Sequence, residues 1–487
     1  MDRDNAEFLS ESGINSSIIG SSTMPTAFDE VLAIRSLGEP SRDEVVMIGE
    51  DPVLATRFKI GETLAAVQAG IGVAVSDLWE LKTGRRQRAT INVRHAAAGL
   101  RSAYRLQRPD AMGVFKDVVN KDHEATRLIA QPWPTRDGRW FLPHFGLPHL
   151  QQRVLKVLCC EPTPESVSKA VSRWDGLELE AAIDEARACG AMVRSNRDWL
   201  THPHGQVLAD KPVVEIIKIG DSEPQPLPQS ARPLGGIRVL DHTRILAGPM
   251  AARTLAEHGA EVLMVGAERL PHISEHVTDT SHGKRSCNLD LTHARDVSIL
   301  RNLVAGADVF TQSYRPGAVS KFGFGPEEVA ALRPGIIYVS ISCYGADGPF
   351  SHRAGWEQMG QTVTGICLDN GAEKPKLLPA PACDYTTGYL AAYGALLAIA
   401  RRARDGGSYH VRVSLCQSGM FIYRQGKVAS GVPNAELSAA ELNELRIESQ
   451  TVDGPLRHLR PLLQLSETPP MWDRPTPRLG SDKAAWL

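Results

Sequence analysis

The sequence predicts an α/β protein with a Rossmann-like, doubly wound parallel sheet and a smaller α+β domain. Short apolar runs typical of buried strands alternate with amphipathic helical stretches from about residue 237 onward, which is the pattern of consecutive βαβ units. A proline-rich stretch over residues 221–233 precedes that pattern and separates it from a region of mixed α and β character. The length of 487 residues fits two or three domains of ordinary size.

Four buried strands carry the predicted sheet. They are expected at residues 237–241, 261–265, 307–311 and 336–342, each followed by a loop and a helix. Ligands of such sheets bind at the carboxyl ends of the strands. The working edge is therefore expected in the loops at residues 242–248, 312–317 and 342–348.

Charge and composition disfavour several classes of partner. Lys and Arg total 54 and Asp and Glu total 56, so the formal net charge is −2. A chain this close to neutrality is not expected to bind nucleic acid through its phosphates, or a membrane through a polybasic surface. Eight cysteines without a C-x-x-C pair, and an acidic N-terminus without an apolar signal segment, indicate a reducing compartment. The chain is therefore expected to be cytoplasmic.

Several familiar catalytic signatures are missing from the sequence. There is no G-x-G-x-x-G after the first predicted strand, no Walker A loop, no G-x-S-x-G and no H-E-x-x-H. His272 and His276 have the spacing of two metal ligands on a helix, but no acidic third ligand accompanies them. The sequence therefore predicts neither a nicotinamide-dependent enzyme nor a metal site.

A set of short strings occurs in the second half of the chain, and their combination resembles the family III CoA-transferases. The resemblance is dense from about residue 233 to 425 and returns from about 460 to 487. Several strings in the right order are far more specific than any one of them. The strings are VLDHTRILAGP (239–249), GKRS (283–286), YRPGA (314–318), YGADGP (344–349), ACDYTTG (382–388), LSETPP (465–470) and RLG (478–480).

The resemblance implies that coenzyme A enters as part of a substrate and that no tightly bound cofactor is needed. Coenzyme A carries a pyrophosphate and a further phosphate, so its site needs cationic donors near strand and helix ends. The cations expected in loops of the early βα units are Lys284, Arg285, Arg315 and Lys321. The remaining CoA-binding residues implied by the resemblance are Leu246, Ala247, Ser313, Tyr314, Tyr344 and Gly345.

Asp384 is the catalytic nucleophile that the resemblance implies. In the transferase members, the matching carboxylate attacks an acyl-CoA thioester and forms a mixed anhydride, which the released thiolate converts into an enzyme–CoA thioester. An incoming carboxylic acid then reverses the sequence. Asp384 also suits the N-cap position of a helix, and both roles can hold at once. Glu357 is expected at the substrate site, or as a structural anchor there.

Two alternatives to a transferase stay open on the sequence. An acyl-CoA racemase needs two bases, one on each face of the substrate. The stretch that matches the Gly-His-Asp string of racemases is here Gly355-Trp356-Glu357, and tryptophan cannot take a proton. The other alternative is a non-catalytic member that binds coenzyme A. The expected partners are an acyl-CoA and a carboxylic acid, and a homodimer is the candidate protein assembly.

The order of the domains differs from that of a typical family member, whose small domain follows the nucleophile. Residues 78–93 resemble residues 399–415, in a register that sets Glu62 opposite Asp384. We interpret this as a truncated first copy that carries a small domain, so that one chain mimics part of an interlocked homodimer. The predicted segments are a flexible tail (1–25), a partial large-domain-like helical segment (26–130), a small α+β domain (131–220), a linker (221–233), the Rossmann-like large domain (234–430) and a C-terminal tail returning to it (431–487).

Overall fold

The computed structural model describes residues 26–41 and 43–487, and the tail expected at residues 1–25 lies outside the described residues. The N-terminal region begins with helix α1 (Ala27–Arg35), which Thr26 and Asp29 close with a capping box. The other elements of this region are β1 (Val45–Ile48), α2 (Ile60–Thr83), β2 (Ala89–Asn92), α3 (Val93–Gly99), a 3-10 turn (Ser102–Arg105), β3 (Gln107–Pro109), β4 (Phe115–Asp117) and α4 (Lys121–Ile129).

Helix α2 is a core helix. From Ile60 to Trp79 every residue except Glu62 is buried, because apolar and small side chains cover all faces of the helix. Among the described helices it is the one that is long and apolar enough to cross a bilayer, and 89% of its most apolar window is buried inside the protein. It packs along the helix that carries Asp384.

A small α+β unit follows, with its own apolar core. Phe141, Val154, Val167 and Leu179 are fully buried in that core. The last strand of this stretch leaves the unit and joins the main sheet. The elements are β5 (Trp133–Pro134), β6 (Trp140–Pro143), α5 (Pro148–Leu158), α6 (Pro164–Val171), α7 (Gly176–Glu185), β7 (Gly190–Met192), α8 (Asn196–Thr201), α9 (Pro203–Ala209) and β8 (Glu215–Gly220).

The large domain alternates strands and helices, as the sequence predicts. Its strands are β9 (Arg238–His242), β10 (Glu261–Gly266), β11 (Lys284–Asn288), β12 (Val309–Gln312), β13 (Ile337–Ser342) and β14 (Ser408–Ser414). Its helices are α10 (Ala247–Glu257), α11 (Ser274–Thr280), α12 (Ala294–Ala305), α13 (Pro326–Leu332), α14 (Glu357–Val363), α15 (Ile366–Asn370), α16 (Ala382–Asp405) and α17 (Leu415–Arg424), with a 3-10 turn at Ser320–Phe322.

The main sheet has seven strands in the order β11-β10-β9-β12-β13-β14-β8. Six of them are parallel, and β8 runs antiparallel to β14. Counted from β9, the six parallel strands have the order 3-2-1-4-5-6 of the Rossmann fold. The predicted α/β fold class is therefore confirmed. The order reverses between β9 and β12, so the crevice at their carboxyl ends is where a ligand is expected.

Two parts of the chain repeat one another in a single register. Helices α2 and α16 both have 24 residues, and each ends at a glycine with positive φ, Gly84 and Gly406. The strands that follow, β2 and β14, both end at the residue that caps the next helix, Asn92 and Ser414. In each copy the strand has a parallel neighbour on one side and an antiparallel one on the other. The register proposed from sequence therefore matches the arrangement of these elements.

The C-terminal segment contacts both halves of the chain. It contains α18 (Ala439–Glu444), β15 (Arg446–Thr451), β16 (Gly454–Leu459) and β17 (Gln464–Leu465). The β15–β16 hairpin joins β3, and β17 pairs with β2. Further on, the amide of Asp482 donates to the Ser286 carbonyl at 2.7 Å, so the segment also lies against β11.

Candidate functional site

Asp384 lies in the first turn of α16 and is 7% exposed. An acidic residue is favoured there because the positive end of the helix dipole stabilises its charge. Burial, followed by the nearby charge of Glu357, raises the pKa of Asp384 well above its ordinary value. Once ionised, this carboxylate is poorly solvated, and poor solvation makes it more basic and more reactive toward a carbonyl carbon.

Glu357 is the acidic neighbour of Asp384 and begins α14. It is 4% exposed. Its Oε1 accepts from Gln361 Nε2 at 2.6 Å and from the Cys383 amide at 3.2 Å. Burial raises the pKa of Glu357 to about 7, against the opposing effect of these two hydrogen bonds. Two carboxyl groups therefore share a site from which most water is excluded, as in sites where acid–base roles are divided between neighbours.

A cavity of about 650 Å³ opens between the small unit and the carboxyl edge of the main sheet. It falls within the usual size range of small-molecule sites. Arg187, Arg315, Lys321 and His352 supply positive or potentially positive groups, beside the carboxylates of Asp184 and Glu185, and Pro316, Gly317, Ala318 and Ala354 complete the lining. Guanidinium groups grouped in this way suit phosphate or carboxylate oxygens.

The backbone carbonyl of Arg187 binds two further arginine side chains. Its φ of 52° is unusual for a residue other than glycine. Its carbonyl accepts from Arg153 Nη1 at 2.9 Å and from Arg315 Nη2 at 3.4 Å. Desolvation, and then the charges of Arg153 and Arg187, lower the pKa of Arg315. Like charges gathered in this way favour an anion between them, and a strained backbone at such a place is typical of a binding site.

One residue of the cavity wall is close in sequence to Glu357. Ala354 lines the cavity, and Glu357 follows three residues later, a span of at most about 11 Å of extended chain. Trp356 packs on His144 of the small unit, with ring centroids 4.5 Å apart. The loop that carries Trp356 and Glu357 therefore connects the cavity wall with the small unit and with the start of α14.

The crevice between β9 and β12 brings together four of the predicted CoA-binding residues. Ser313 Oγ accepts from the Arg244 amide at 2.9 Å, which links the two loops across the crevice. The Tyr314 ring lies 4.8 Å from that of His242. Leu246 and Ala247 are buried at the start of α10. These residues form the floor and sides of the expected ligand crevice.

Tyr344 and Gly345 lie beyond the end of β13, and neither lines the cavity of about 650 Å³. Tyr344 is fully buried, and His204 Nε2 lies 2.6 Å from its carbonyl oxygen. Gly345 has a φ of 85° and lines a second, small cavity of about 30 Å³. That volume holds little more than a water molecule.

The structure corrects the expected positions of Lys284 and Arg285. Both lie in strand β11 rather than in a loop, and at its amino end, opposite the carboxyl edge of the sheet. Lys284 Nζ is fully buried, donating to Asp241 Oδ2 at 2.7 Å and to the Pro249 carbonyl at 2.7 Å. Arg285 donates to the Ala485 carbonyl at 2.8 Å. Neither side chain lines the cavity described above, because internal acceptors hold both.

The sequence did not single out the cavity residues that come from the small unit. Arg187 and Asp184 line the cavity and lie at or just after the end of α7, and Arg153 of α5 donates to the Arg187 carbonyl. None belongs to one of the strings, and as isolated charges on amphipathic helices they resemble ordinary solvated residues. Only the packing of the small unit against the sheet brings them to Arg315.

Metal chemistry has no candidate centre in the part of the chain that the structure describes. Within residues 26–41 and 43–487, no group of three or more His, Cys, Asp or Glu side chains could hold a metal ion. His272 is exposed and His276 is buried, so their helical spacing does not place them in a common environment.

Comparison with known proteins assigns the family. The family model of CoA-transferase family III matches residues 234–444. An acetyl-coenzyme A transferase of Hypoxylon pulicicidum is 32% identical over 416 residues, which cover 77% of this chain and 70% of that protein. A succinyl-CoA:glutarate CoA-transferase of Mus musculus is 35% identical over 40% of this chain and 48% of its own length.

Among solved structures, a CaiB/BaiF family protein from Brucella suis is 27% identical, covering 46% of this chain and 65% of its own, with a TM-score of 0.37. The similarity to the Hypoxylon pulicicidum protein extends over most of both chains. This chain belongs to CoA-transferase family III and is a transferase of that family.

Proposed function

We propose that the protein transfers coenzyme A from an acyl-CoA to a carboxylic acid, with Asp384 as the nucleophile and no cofactor of its own. The observation that carries the proposal is the buried carboxyl pair of Asp384 and Glu357, of which Glu357 follows the cavity residue Ala354 by three residues. The arginines of the cavity suit the phosphates of coenzyme A. The carboxylate suits the thioester at the other end of the same molecule.

The first half of the reaction transfers the acyl group and then coenzyme A to the enzyme. An Asp384 oxygen bonds to the thioester carbon, the carbon–sulfur bond breaks, and the electron pair leaves on the thiolate of coenzyme A. The thiolate then attacks the Asp384 carbonyl carbon of the resulting anhydride. The donor acid departs with one oxygen from Asp384, and an aspartyl–CoA thioester remains.

The second half repeats these steps in reverse order. The acceptor carboxylate attacks the aspartyl thioester and releases the thiolate, which then attacks the acceptor's carbonyl carbon. The new acyl-CoA leaves, and Asp384 is regenerated with one oxygen from the acceptor acid. The reaction consumes no water and needs no redox partner. A site that excludes water protects the anhydride and the aspartyl–CoA thioester from hydrolysis.

Glu357 determines how easily Asp384 carries its charge. The pKa of Glu357 is raised to about 7 by burial, so near neutral pH a large fraction of this group is protonated. Burial is the larger cause of the raised pKa of Asp384, and a protonated Glu357 removes only the second cause, the repulsion between the two carboxylates. The proposed reaction requires that the single negative charge of the pair be on Asp384 when the thioester is attacked.

The names of the relatives suggest the first substrates to test. An acetyl-coenzyme A transferase and a succinyl-CoA:glutarate CoA-transferase are among them. We therefore propose acetyl-CoA and succinyl-CoA as donors and small mono- and dicarboxylic acids as acceptors. A reducing cytoplasm, the compartment that the cysteine usage predicts, would keep the released thiol available.

Intact-mass spectrometry with isotope labelling tests the proposal. The protein is incubated with each donor and then with an acceptor acid labelled with oxygen-18 in its carboxylate. We expect a CoA-sized adduct on Asp384, followed by oxygen-18 in the Asp384 carboxyl, and neither in Asp384→Ala. Binding of coenzyme A without an adduct would contradict the proposal in favour of a non-catalytic member. Deuterium uptake at the α-carbon without an adduct would contradict it in favour of a racemase.

A further inference from the structure

Helices α16 and α10 pack together, and they come closest to one another at Gly388. A Cβ added at Gly388 would lie 2.6 Å from the Ala247 carbonyl oxygen and 2.8 Å from Met250 Cβ. Both of these partners belong to the beginning of α10. There is therefore no room for a side chain at position 388, and glycine lets the two backbones approach this closely.

This contact lies beside the crevice that is expected to bind coenzyme A. Ala247 is a crevice residue, and the loop before it is joined to the opposite side of the crevice by the bond from the Arg244 amide to Ser313 Oγ, 2.9 Å long. Asp384 and Gly388 are four residues apart in one helix, so they lie on the same face, about 6 Å apart along the helix axis. The face of α16 that carries the nucleophile is therefore the face that packs on the start of α10.

The repeated helix α2 has no glycine at the equivalent position. In the register described above, Gly72 of α2 coincides with Gly394 of α16, and a Cβ added at either would lie 2.5 Å from the strand that follows. Gly388 instead coincides with Ala66, which is buried. The two copies thus share the glycine that packs on a strand, whereas the glycine that packs on α10 occurs only in the copy with Asp384.

We propose that Gly388 is a positioning residue for the nucleophile. Because it lacks a side chain, α16 rests on the start of α10, and this contact sets the distance between the Asp384 carboxylate and a thioester bound in the crevice. The inference rests on the proposed CoA transfer through Asp384 and adds no bond to that reaction. Attack requires the reacting atoms to be about 3–3.5 Å apart, and a displacement of about 1 Å can lower the rate by about 10²-fold.

The variant Gly388→Ala tests the inference, because its methyl group can be accommodated only if α16 moves away from α10. We expect the single-turnover rate of adduct formation on Asp384, from acetyl-CoA or succinyl-CoA, to fall by about 10²-fold. The dissociation constant of coenzyme A should stay at its wild-type value, because the phosphates are bound by the arginines of the cavity in the proposed function. Intact-mass kinetics and isothermal titration measure the two quantities.

A matched control is Gly394→Ala, six residues further along the same helix. Its added Cβ would lie 2.5 Å from Val411 Cγ1 and 2.7 Å from Val214 Cγ1, a contact as close as the one at Gly388. Both variants should lower the thermal midpoint, because each adds a methyl group to a well-packed contact. Only Gly388→Ala should lower the rate of adduct formation, at a temperature at which circular dichroism shows both variants folded.

A second variant, Met250→Ile, changes the same contact from the α10 side and decides the matter if Gly388→Ala does not fold. Met250 Cβ faces Gly388, and isoleucine adds a methyl group to that carbon while nearly keeping the volume of the side chain. We expect a loss of about 10-fold in the same rate, since the smaller change moves the helices less. Ala66→Gly, at the equivalent position of α2, should form the adduct at the wild-type rate.

Four results would contradict the inference, and they are distinguishable. Wild-type rates in Gly388→Ala and Met250→Ile would show that the spacing of the two helices does not position Asp384. Equal losses of rate in Gly388→Ala and Gly394→Ala would assign the effect to a general loosening of α16. Weaker binding of coenzyme A with an unchanged single-turnover rate would assign the contact to binding alone. Absence of any Asp384 adduct in the wild-type protein would contradict the proposed function itself, and the role of Gly388 with it.

Discussion

Helices α2 and α16 occupy equivalent positions in the two repeated parts of the chain, and they differ in the carboxylate in their first turn. Both have 24 residues and end at a glycine of positive φ. Glu62, in the first turn of α2, is 31% exposed and lies 3.1 Å from Lys59 Nζ. Asp384, at the equivalent position of α16, is 7% exposed and is influenced by the acidic Glu357. The same place on a helix thus holds an ordinary ion pair in one copy and a destabilised acid in the other.

The connection before each helix explains the difference. Between β1 and α2 it covers only residues 49–59, whereas between β13 and α16 it covers residues 343–381. In the short connection, Asp51 Oδ2 accepts from the Glu62 amide at 2.7 Å, and solvent reaches Glu62. The longer connection contributes α14 and α15 and covers Asp384. The inserted connection, rather than the helix and strand that the two copies share, therefore creates the proposed reactivity of Asp384.

The largest expected effect separates the two carboxylates. Asp384→Asn should lower CoA transfer by about 10⁴-fold or more, as loss of a covalent nucleophile does in other enzymes. Glu62→Gln should leave turnover unchanged, because Glu62 is paired and partly solvated. Steady-state exchange between acetyl-CoA or succinyl-CoA and a carboxylic acid measures both. Equal losses in the two variants would show that both carboxylates are needed and would contradict the difference between Asp384 and Glu62.

The second test concerns the cavity, which the longer connection helps to form through His352 and Ala354. Arg315→Ala should raise the dissociation constant of an acyl-CoA by about 10–100-fold, because a charged hydrogen bond to phosphate is lost. Arg404→Ala, at an exposed position near the end of α16, should bind as the wild type does. Isothermal titration with coenzyme A measures the change, and equal binding by both variants would contradict the assignment of the cavity.

The third test removes the charge of Glu357, the acidic neighbour of Asp384. In Glu357→Gln the amide oxygen still accepts from Gln361 and Cys383, but its negative charge is gone. Since that charge raises the pKa of Asp384, its loss should lower the pKa. The acid limb of the pH–rate profile should therefore move to lower pH. A profile unchanged from the wild type would show that Glu357 does not control the nucleophile.

The same variant should change the pH dependence of stability. The pKa of Glu357 is about 7 in the folded protein, above its ordinary value of 4.5. The folded state therefore binds this proton more tightly, and the stability that this contributes is present below about pH 4.5 and is lost as pH rises through 7. Thermal midpoints of Glu357→Gln should fall less than those of the wild type between about pH 5 and 8. Parallel curves would contradict the raised pKa.

The smallest expected effect tests whether α2 and α16 pack on their following strands in the same way. A Cβ added at Gly72 would lie 2.5 Å from Ala89 Cβ, and one added at the equivalent Gly394 would lie 2.5 Å from Val411 Cγ1. Both Gly→Ala variants should therefore lose about 1–3 kcal/mol of unfolding free energy. Gly38→Ala, where the added carbon has open space, should stay within about 0.5 kcal/mol. Denaturant titration measures all three, and a loss in only one copy would weaken the structural equivalence.

Local patterns predicted four of the six parallel strands of the large domain, and β11 and β14 were not predicted. The four predicted strands correspond to β9, β10, β12 and β13, because buried parallel strands are short apolar runs whose signal is contained in a few consecutive residues. A helix start near Asp384 was predicted, but Asp384 was expected as its N-cap, whereas the N-cap of α16 is Pro381 and Asp384 lies in the first turn. The antiparallel edge strand β8 was not identified, because its partner β14 follows only after all the other strands of the sheet.

The candidate site was predicted only in part. Arg315 and Lys321 lie in the cavity, whereas Lys284 and Arg285 lie at the opposite end of the sheet. A string of residues can identify a family, but it does not show which way a strand runs or which acceptor satisfies a lysine. The burial of Lys284 against Asp241 was invisible for that reason.

By itself, the sequence determined the α/β class, the family resemblance and the acidic residue at the start of α16, because each depends on neighbouring residues. The tertiary structure decided which cations share a cavity and that Asp384 and Glu357 are desolvated together. These properties depend on groups far apart in the chain, and the pKa of a carboxyl group follows from the water and charge around it rather than from its sequence neighbours.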